Sequence, residues 1–371
     1  MISVLFLIPS LVRGGAENVL VDLVNHMDQS RFKITVQTLF DQNSQKSRLK
    51  NGIEYRTFLN HQFHGNSRLF ARIPAGLLYR LIVRKRYDIV VSYLEGPTTH
   101  IIAGCPYSDT RKVAWIHSAF DQARGLSAGF VSKNAALQAY RTFDRVVFVA
   151  ESAKRKVEET AGAAFLNACV LYNTIDVSQI KAKADEKISP DLFRENEISI
   201  ISTGKIDQVK GYDRLARVQN RLIKSGYRTH MYILGEGKER KAIEDYIENS
   251  LISDSFTFLG YHDNPYKYVS KADLYVCSSR REGFSTAVSE ALILGVPVIS
   301  TNCSGAYELL GENGEYGVVT ENSESSLYTA ITQIIDNPSL LTLYRHKAKK
   351  RGECFSTIET VRSVEKMLMQ L

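Results

Sequence analysis

Along the chain, short unbroken apolar runs alternate with longer stretches in which apolar residues recur every three or four positions. Residues 2–8 (ISVLFLI) are apolar throughout, the pattern of a strand buried on both faces of a parallel sheet. A helix is predicted over residues 16–27, with Leu20, Leu23 and Val24 on its inner side. Strand signals return at 33–39, near Tyr55, and at 88–93, 112–119 and 145–150; helical periodicity occupies 67–85, 97–103 and 152–160. This βαβα order predicts a doubly wound α/β sheet.

Between residues 177 and 197 the chain turns polar, with Pro190 inside the stretch, and reads as a linker. A second alternation begins at 198–203 and continues through a helix at 212–224 and strands at 229–234, 256–259, 272–279 and 298–301. The helix at 285–294 stops at Gly295 and Pro297, and residues 338–371 are helical in pattern. With 371 residues the chain is long for one core and comfortable for two. The predicted organisation is a domain over 1–176, a linker over 177–197, a second domain over 198–355 and a final helix over 356–371 that crosses back to the first domain.

Composition narrows the class. A chain that is 44% hydrophobic and 23% charged is ordinary for a soluble globular protein, and no apolar run reaches the roughly 18 residues of a membrane span. The opening MISVLFLIPS lacks a basic leader and a small-residue cleavage site, so it is expected to be a strand and not a signal peptide. Five scattered cysteines without metal-ligand spacing fit a reducing cytoplasm. The net charge of +7 is unevenly placed: residues 1–170 hold 22 Lys and Arg against 13 Asp and Glu, and the remainder 25 against 27. An acidic partner on the N-terminal side is implied, either an anionic membrane surface or a lipid diphosphate. Nucleic acid is not expected, since no motif for it is present and the cations are not interleaved with aromatic residues. The stretch 68–86 mixes Leu69, Leu77 and Leu81 with Arg72, Arg80, Arg84, Lys85 and Arg86, as an interfacial helix does, although Pro74 and Gly76 interrupt it.

Candidate chemistry concentrates in residues 280–301, RREGFSTAVSEALILGVPVIST. A strand, a loop around Gly283 and Phe284, and a helix opening at Ser285 and Thr286 aim free backbone N–H groups and a positive dipole end at one point, where phosphate fits. Glu282 lies in the loop, and Glu290 lies five residues past Ser285, roughly 7.5 Å along the helix axis. Both carboxylates are placed to accept hydroxyls of one elongated ligand. Gly14 and Gly15 precede the first helix, where a backbone without side chains permits close approach to a ligand. His117 leaves the C-terminal edge of a strand, the side on which parallel sheets bind ligands. Lys205 and Lys210 lie in the loop after Thr203.

The 280–301 string resembles the C-terminal signature of the family-4 retaining glycosyltransferases: E-x7-E at Glu282 and Glu290, then a helix and a Gly-x-Pro-Val turn at Gly295, Pro297 and Val298. GGAE at 14–17, VLYNTID at 170–176, the Lys210–Gly211 pair and NPYKY at 264–268 carry the likeness along nearly the whole chain. Lys205 departs from it, because the family has arginine there, and lysine keeps the charge without the bidentate fork.

The resemblance implies the GT-B fold, two Rossmann-like doubly wound domains facing across a cleft, with a nucleotide-sugar donor on the C-terminal half and the acceptor on the N-terminal half. It implies that Lys205 and Lys210 grip the donor diphosphate and that Glu290 takes the ribose hydroxyls. Glu282 and His117 would bind the donor sugar, Gly15 would face the diphosphate and acceptor, and Tyr261 would contact the base. No Asp-x-Asp motif is present, so neither a metal nor another cofactor is expected. The expected activity is retaining transfer of a hexose or N-acetylhexosamine from a UDP-type sugar to a polyprenyl-diphosphate-linked saccharide. That places the chain in the cytoplasm at the inner face of the plasma membrane, in surface-polysaccharide synthesis. A nucleotide-sugar epimerase of the same fold and a non-catalytic nucleotide-sugar-binding scaffold are the alternatives.

Overall fold

Seven strands, β1 (Ile2–Ile8), β2 (Phe32–Phe40), β3 (Glu54–Leu59), β4 (Ile89–Ser92), β5 (Arg111–Ile116), β6 (Arg145–Phe148) and β7 (Ala168–Val170), build the first sheet. All are parallel, in the order β3-β2-β1-β4-β5-β6-β7. The computed structural model describes every residue except Arg13, Asn43, Ser44, His64, Asp121, Gln122, Pro190 and Asp191. The chain divides into two compact units, Met1–Ile175 with Ser356–Leu371, and Asp176–Phe355. In the first unit Val4–Ile8 are fully buried, as a strand covered on both faces requires. Leu5 and Leu7 pack in one cluster with Leu78, Tyr79, Ile82, Ile101 and Ile102 from the helices Ala75–Ile82 and Pro97–Ala103.

The second unit repeats the architecture. Strands β8 (Ile198–Thr203), β9 (Thr229–Leu234), β10 (Phe256–Gly260), β11 (Leu274–Cys277), β12 (Val298–Thr301) and β13 (Val318–Thr320) are again all parallel, in the order β10-β9-β8-β11-β12-β13. Its core joins Ile200, Ile233, Val276 and Ile299 of the sheet to Leu215 and Leu222 of the helix Tyr212–Lys224. In each sheet the first strand has the second on one side and the fourth on the other, so the winding reverses at β1/β4 and at β8/β11. Open α/β sheets bind ligands beyond the strand C-termini at this reversal.

Two expectations are corrected. The helix predicted over 67–85 is two helices, Asn66–Arg72 and Ala75–Ile82. Pro74 has no N–H and drives Ile73 to an extended conformation at φ −88°, ψ 135°, and His100 Nε2 lies 3.0 Å from the Ile73 carbonyl oxygen freed by the break. Part of the linker stretch is the helix Val177–Ala184, capped by the Asp176 carboxylate accepting from the Gln179 amide at 2.9 Å and burying Ile180 and Ala184; Pro190, read as part of that linker, lies outside the described residues. The C-terminal stretch, helical as expected, is two helices, Pro338–Gly352 and Thr357–Met369. The second of these belongs to the first unit, where Thr357 Oγ1 donates to the Ile175 carbonyl at 2.7 Å and the Asp28 amide donates to Glu365 Oε1 at 2.7 Å.

Candidate active site

In the second unit the loops leaving β8 and β11, on either side of the winding reversal, interlock. Ser278 Oγ donates to the Lys210 carbonyl at 2.8 Å, and the Arg280 amide donates to the Val209 carbonyl at 2.7 Å. Gly211 makes the approach possible: its φ is +70°, and a Cβ there would lie 2.4 Å from the Ser278 carbonyl oxygen. The outcome is an ion pair between residues 72 positions apart, with Lys210 Nζ 2.6 Å from Glu282 Oε1. Ser279 Oγ donates to the same Oε1 at 2.6 Å, and Glu282 Oε2 makes no hydrogen bond among the described residues.

Burial of the Lys210 ammonium works to lower its pKa, but the charge of Glu282 beside it prevails and holds it well above the ordinary lysine value. Lys210 is therefore a fixed cation. An ammonium has three N–H donors, of which Glu282 takes one, leaving two for an anion.

A second source of positive potential stands beside the pair. The helix Thr286–Ile293 begins four residues after Glu282, and Ser285 caps it, its Oγ accepting from the Val288 amide at 3.4 Å. The remaining first-turn amides have no intrahelical acceptor. Gly283 and Phe284 are clamped from above by Gly305, where a Cβ would come within 2.9 Å of the Phe284 ring and 3.2 Å of the Gly283 carbonyl oxygen. Lysine, helix N-terminus and carboxylate at one sheet reversal can bind an elongated ligand with a phosphate at one end and hydroxyls at the other.

Lys205, Tyr261 and Glu290 are the other sequence candidates of this unit. Lys205 is exposed and makes no ion pair among the described residues. Tyr261 is 46% exposed, and its hydroxyl donates to Asp263 Oδ1 at 3.2 Å; it follows β10, at the sheet edge two strands from β8. Glu290 is half-buried, midway along the helix Thr286–Ile293.

In the first unit Gly15 is exposed as the first residue of the helix Gly15–His26, after the β1 loop. His117 lies just past β5, its amide donating to Glu95 Oε2 at 3.0 Å and its ring 4.8 Å from that of Tyr93. Burial pushes the His117 pKa down to about 3, against a smaller opposing effect of a hydrogen bond with the Tyr93 backbone. The ring is neutral, and its Nε2 is buried without a hydrogen-bond partner among the described residues. Such an orphan is costly unless a ligand or water satisfies it.

Sequence reading missed two contributors. Glu95 follows β4, at the reversal of the first sheet, and a lone carboxylate after a buried strand was the available signal. Arg280 forms a two-pronged pair with Asp213, Nη1 to Oδ1 at 2.8 Å and Nη2 to Oδ2 at 2.7 Å, and also donates to the Gln208 carbonyl at 2.7 Å. Burial works to raise the Asp213 pKa, yet Arg280 and Arg217 hold it far below the carboxylate range.

Two family models divide the chain between them. "Glycosyltransferase Family 4" matches residues 13–179 and "Glycosyl transferases group 1" matches residues 183–353. The chain belongs to the glycosyltransferases. The family-4 region of this glycosyltransferase holds Gly15, Glu95 and His117, and the group 1 region holds Lys205, Lys210, Tyr261, Glu282 and Glu290. One relative is the N-acetylgalactosamine-N,N'-diacetylbacillosaminyl-diphospho-undecaprenol 4-alpha-N-acetylgalactosaminyltransferase of Campylobacter jejuni, 32% identical over 203 residues, 54% of this chain and 53% of that protein. Another is the capsular polysaccharide biosynthesis glycosyltransferase CapM of Staphylococcus aureus, 28% identical over 160 residues, 40% of each chain. The glycosyltransferase thus matches about half of these curated relatives' length. Among solved structures, Anabaena HepE in complex with UDP-glucose superposes with a TM-score of 0.79 at 20% identity, covering all of both chains. WaaG, a glycosyltransferase involved in lipopolysaccharide biosynthesis, superposes with a TM-score of 0.75 at 16% identity, covering 98% of this chain and 99% of its own. The fold is GT-B.

Proposed function

We propose that the chain is a retaining, metal-independent glycosyltransferase. It moves a hexose or N-acetylhexosamine from a nucleoside-diphosphate sugar, with uridine as the favoured base, to a hydroxyl of a polyprenyl-diphosphate-linked glycan in surface-polysaccharide synthesis. The observation that carries this reading is the Lys210–Glu282 pair at the β8/β11 reversal, beside the N-terminus of the helix Thr286–Ile293. The uridine choice is supported by HepE, whose structures hold UDP and UDP-glucose. The lipid-linked acceptor is supported by the Campylobacter relative, whose name specifies a diphospho-undecaprenol acceptor.

In this mechanism the donor diphosphate lies between Lys210 Nζ and the first-turn amides of that helix. Glu282 Oε2 accepts a hydroxyl of the donor sugar. The bond from the anomeric carbon to the diphosphate oxygen breaks while the acceptor oxygen bonds to the same face of that carbon. The acceptor's proton passes to the departing phosphate oxygen, giving a nucleoside diphosphate and a glycoside of unchanged anomeric configuration. Charge growing on the diphosphate is met by Lys210 and the helix dipole, fixed donors that need no reorganisation.

The test is a thermal-shift panel of UDP- and GDP-sugars with chelator present, followed by transfer to a short polyprenyl-diphosphate saccharide with the product anomer read by NMR. One donor should raise the melting temperature, as a ligand of the folded state does, and the product should keep the donor's anomeric configuration. Inversion would overturn the stereochemical part. Absence of both a shift and a product, or isomerised donor without acceptor, would overturn the transferase reading.

A further inference from the structure

The Glu282 carboxylate is gripped through one of its two oxygens. Oε1 takes the Lys210 ammonium and the Ser279 hydroxyl, each at 2.6 Å, and two donors fill the two lone pairs of that oxygen. Oε2 is left for an incoming hydroxyl. The plane of a glutamate carboxylate turns broadly about its last side-chain bond, so the direction in which Oε2 points depends on how firmly the two donors are placed. Lysine reaches its partner on a flexible four-carbon stem, and the firm donor is therefore Ser279.

Ser279 stands two residues past β11 and is buried. Its hydroxyl accepts from the Cys277 thiol at 3.6 Å while it donates to Glu282. Its carbonyl accepts from the Thr301 hydroxyl at 2.6 Å and from the Cys303 thiol at 3.0 Å. Thr301 is the last residue of β12, the strand paired with β11, and is fully buried. Burial pushes the Cys303 thiol up to about 12, so the sulfur keeps the proton that it donates. Both lone pairs of the Ser279 carbonyl are thus in use, and the residue cannot turn or shift without stranding a buried donor.

We propose, resting on the transferase reading in which Glu282 meets the donor sugar, that Ser279 is a positioning residue that determines sugar specificity: it fixes the direction from which Glu282 Oε2 accepts a hydroxyl, and Thr301 and Cys303 hold it for that task. A sugar whose hydroxyl lies along the fixed lone pairs of Oε2 is bound. Its epimer presents that hydroxyl in another direction and forfeits the bond. Without the Ser279 oxygen the carboxylate plane is free to turn and one lone pair of Oε1 opens, so hydroxyls are accepted from more directions and each less well. The diphosphate meets Lys210 and the first-turn amides of the helix Thr286–Ile293, none of which Ser279 bonds through its side chain. A positioning role therefore changes the response to the sugar and not to the nucleotide.

Calorimetric titration of the full chain with UDP and with UDP-glucose, UDP-galactose, UDP-N-acetylglucosamine and UDP-N-acetylgalactosamine separates the two parts of the donor. Wild type should favour one sugar over its epimer. Ser279→Ala should bind UDP as wild type does and the favoured UDP-sugar about tenfold more weakly, the scale of an impaired hydrogen bond to a charged group, with less discrimination between epimers. Because Ser279 is buried, Thr301→Val provides a second variant, which removes a hydroxyl at nearly constant volume and should show the same pattern in milder form. Thr301→Ser keeps the hydroxyl and should restore the wild-type ratio of UDP-sugar to UDP affinity, and circular dichroism checks that each variant is folded. Equal losses for UDP and UDP-sugars would reduce Ser279 to a structural support and overturn the proposal. So would wild-type discrimination between epimers in both Ser279→Ala and Thr301→Val, while leaving the transferase reading intact. A wild-type chain that binds none of these ligands would overturn that reading and this proposal together.

Discussion

Arg280 and Asp213 face each other through two parallel hydrogen bonds, 2.8 and 2.7 Å long, and by doing so fix the loop that carries Lys210. The same guanidinium holds the Gln208 carbonyl, and the Arg280 backbone holds Val209. Lysine cannot reproduce this planar fork. Arg280→Lys is therefore expected to lower kcat/KM for the donor by roughly ten- to a hundredfold, the scale of a small misplacement at a reacting centre. A purely structural role would add its loss to that of any other variant. A positioning role predicts little further loss when Arg280→Lys is introduced into Lys210→Met, and a double-mutant cycle in donor affinity measures the difference.

Gly211 allows a comparison with a second glycine. Its φ of +70° resembles the +84° of Gly226, so alanine at either position carries a similar backbone penalty of about 1–2 kcal/mol. Only Gly211 has a carbonyl oxygen 2.4 Å from its prospective Cβ, whereas Gly226 has nothing within 4 Å. Gly211→Ala should lose more stability than Gly226→Ala in urea unfolding, and it alone should weaken donor binding, because the displaced atoms are those that seat Lys210 beside Glu282.

What the sequence disclosed and what it concealed follow from distance along the chain. Lys210 and Glu282 each stand in a loop after a recognisable strand, so their position at the sheet's ligand-binding edge was legible, and parallel winding brings such loops together. The Arg280–Asp213 fork was not legible, since 67 residues separate its halves and neither has local periodicity to betray a partner. The helix Val177–Ala184 was hidden by its lysines: Val177, Ile180 and Ala184 make a sparse stripe that reads as linker until Asp176 is seen to cap it.

His117 gives a pH prediction. With a folded-state pKa near 3 against an ordinary 6.5, the unfolded chain binds a proton that the folded chain does not between those values. Its contribution is complete above about pH 6.5 and is lost as pH falls toward 3, with a slope reaching about 1.4 kcal/mol per pH unit. His117→Asn should remove this component, so the stability difference between wild type and variant, measured by urea unfolding, should change across that window and stay flat above it. For the same reason kcat/KM should show no ionisation near pH 6.5 that disappears in His117→Asn. A limb lost on substitution would mean that the imidazole titrates in the active protein.

The Lys210–Glu282 pair separates stability from function. Side-chain exposures of 25% and 14% place it largely out of water, where an ion pair adds little net stability but breaking it strands a charge. Lys210→Met is expected to cost about 2–3 kcal/mol, below the range for fully buried pairs because some solvent reaches Glu282. Glu282→Gln alone leaves the ammonium without its counter-charge and should also destabilise. In Lys210→Met/Glu282→Gln no stranded charge remains, so much of the loss should be recovered, giving a favourable coupling in the unfolding free energies. Turnover should not recover, because neither the cation for the diphosphate nor the carboxylate for the sugar hydroxyl is restored. Recovery of both would reduce the pair to a structural strut, whereas recovery of stability alone would assign its charges to the bound substrate.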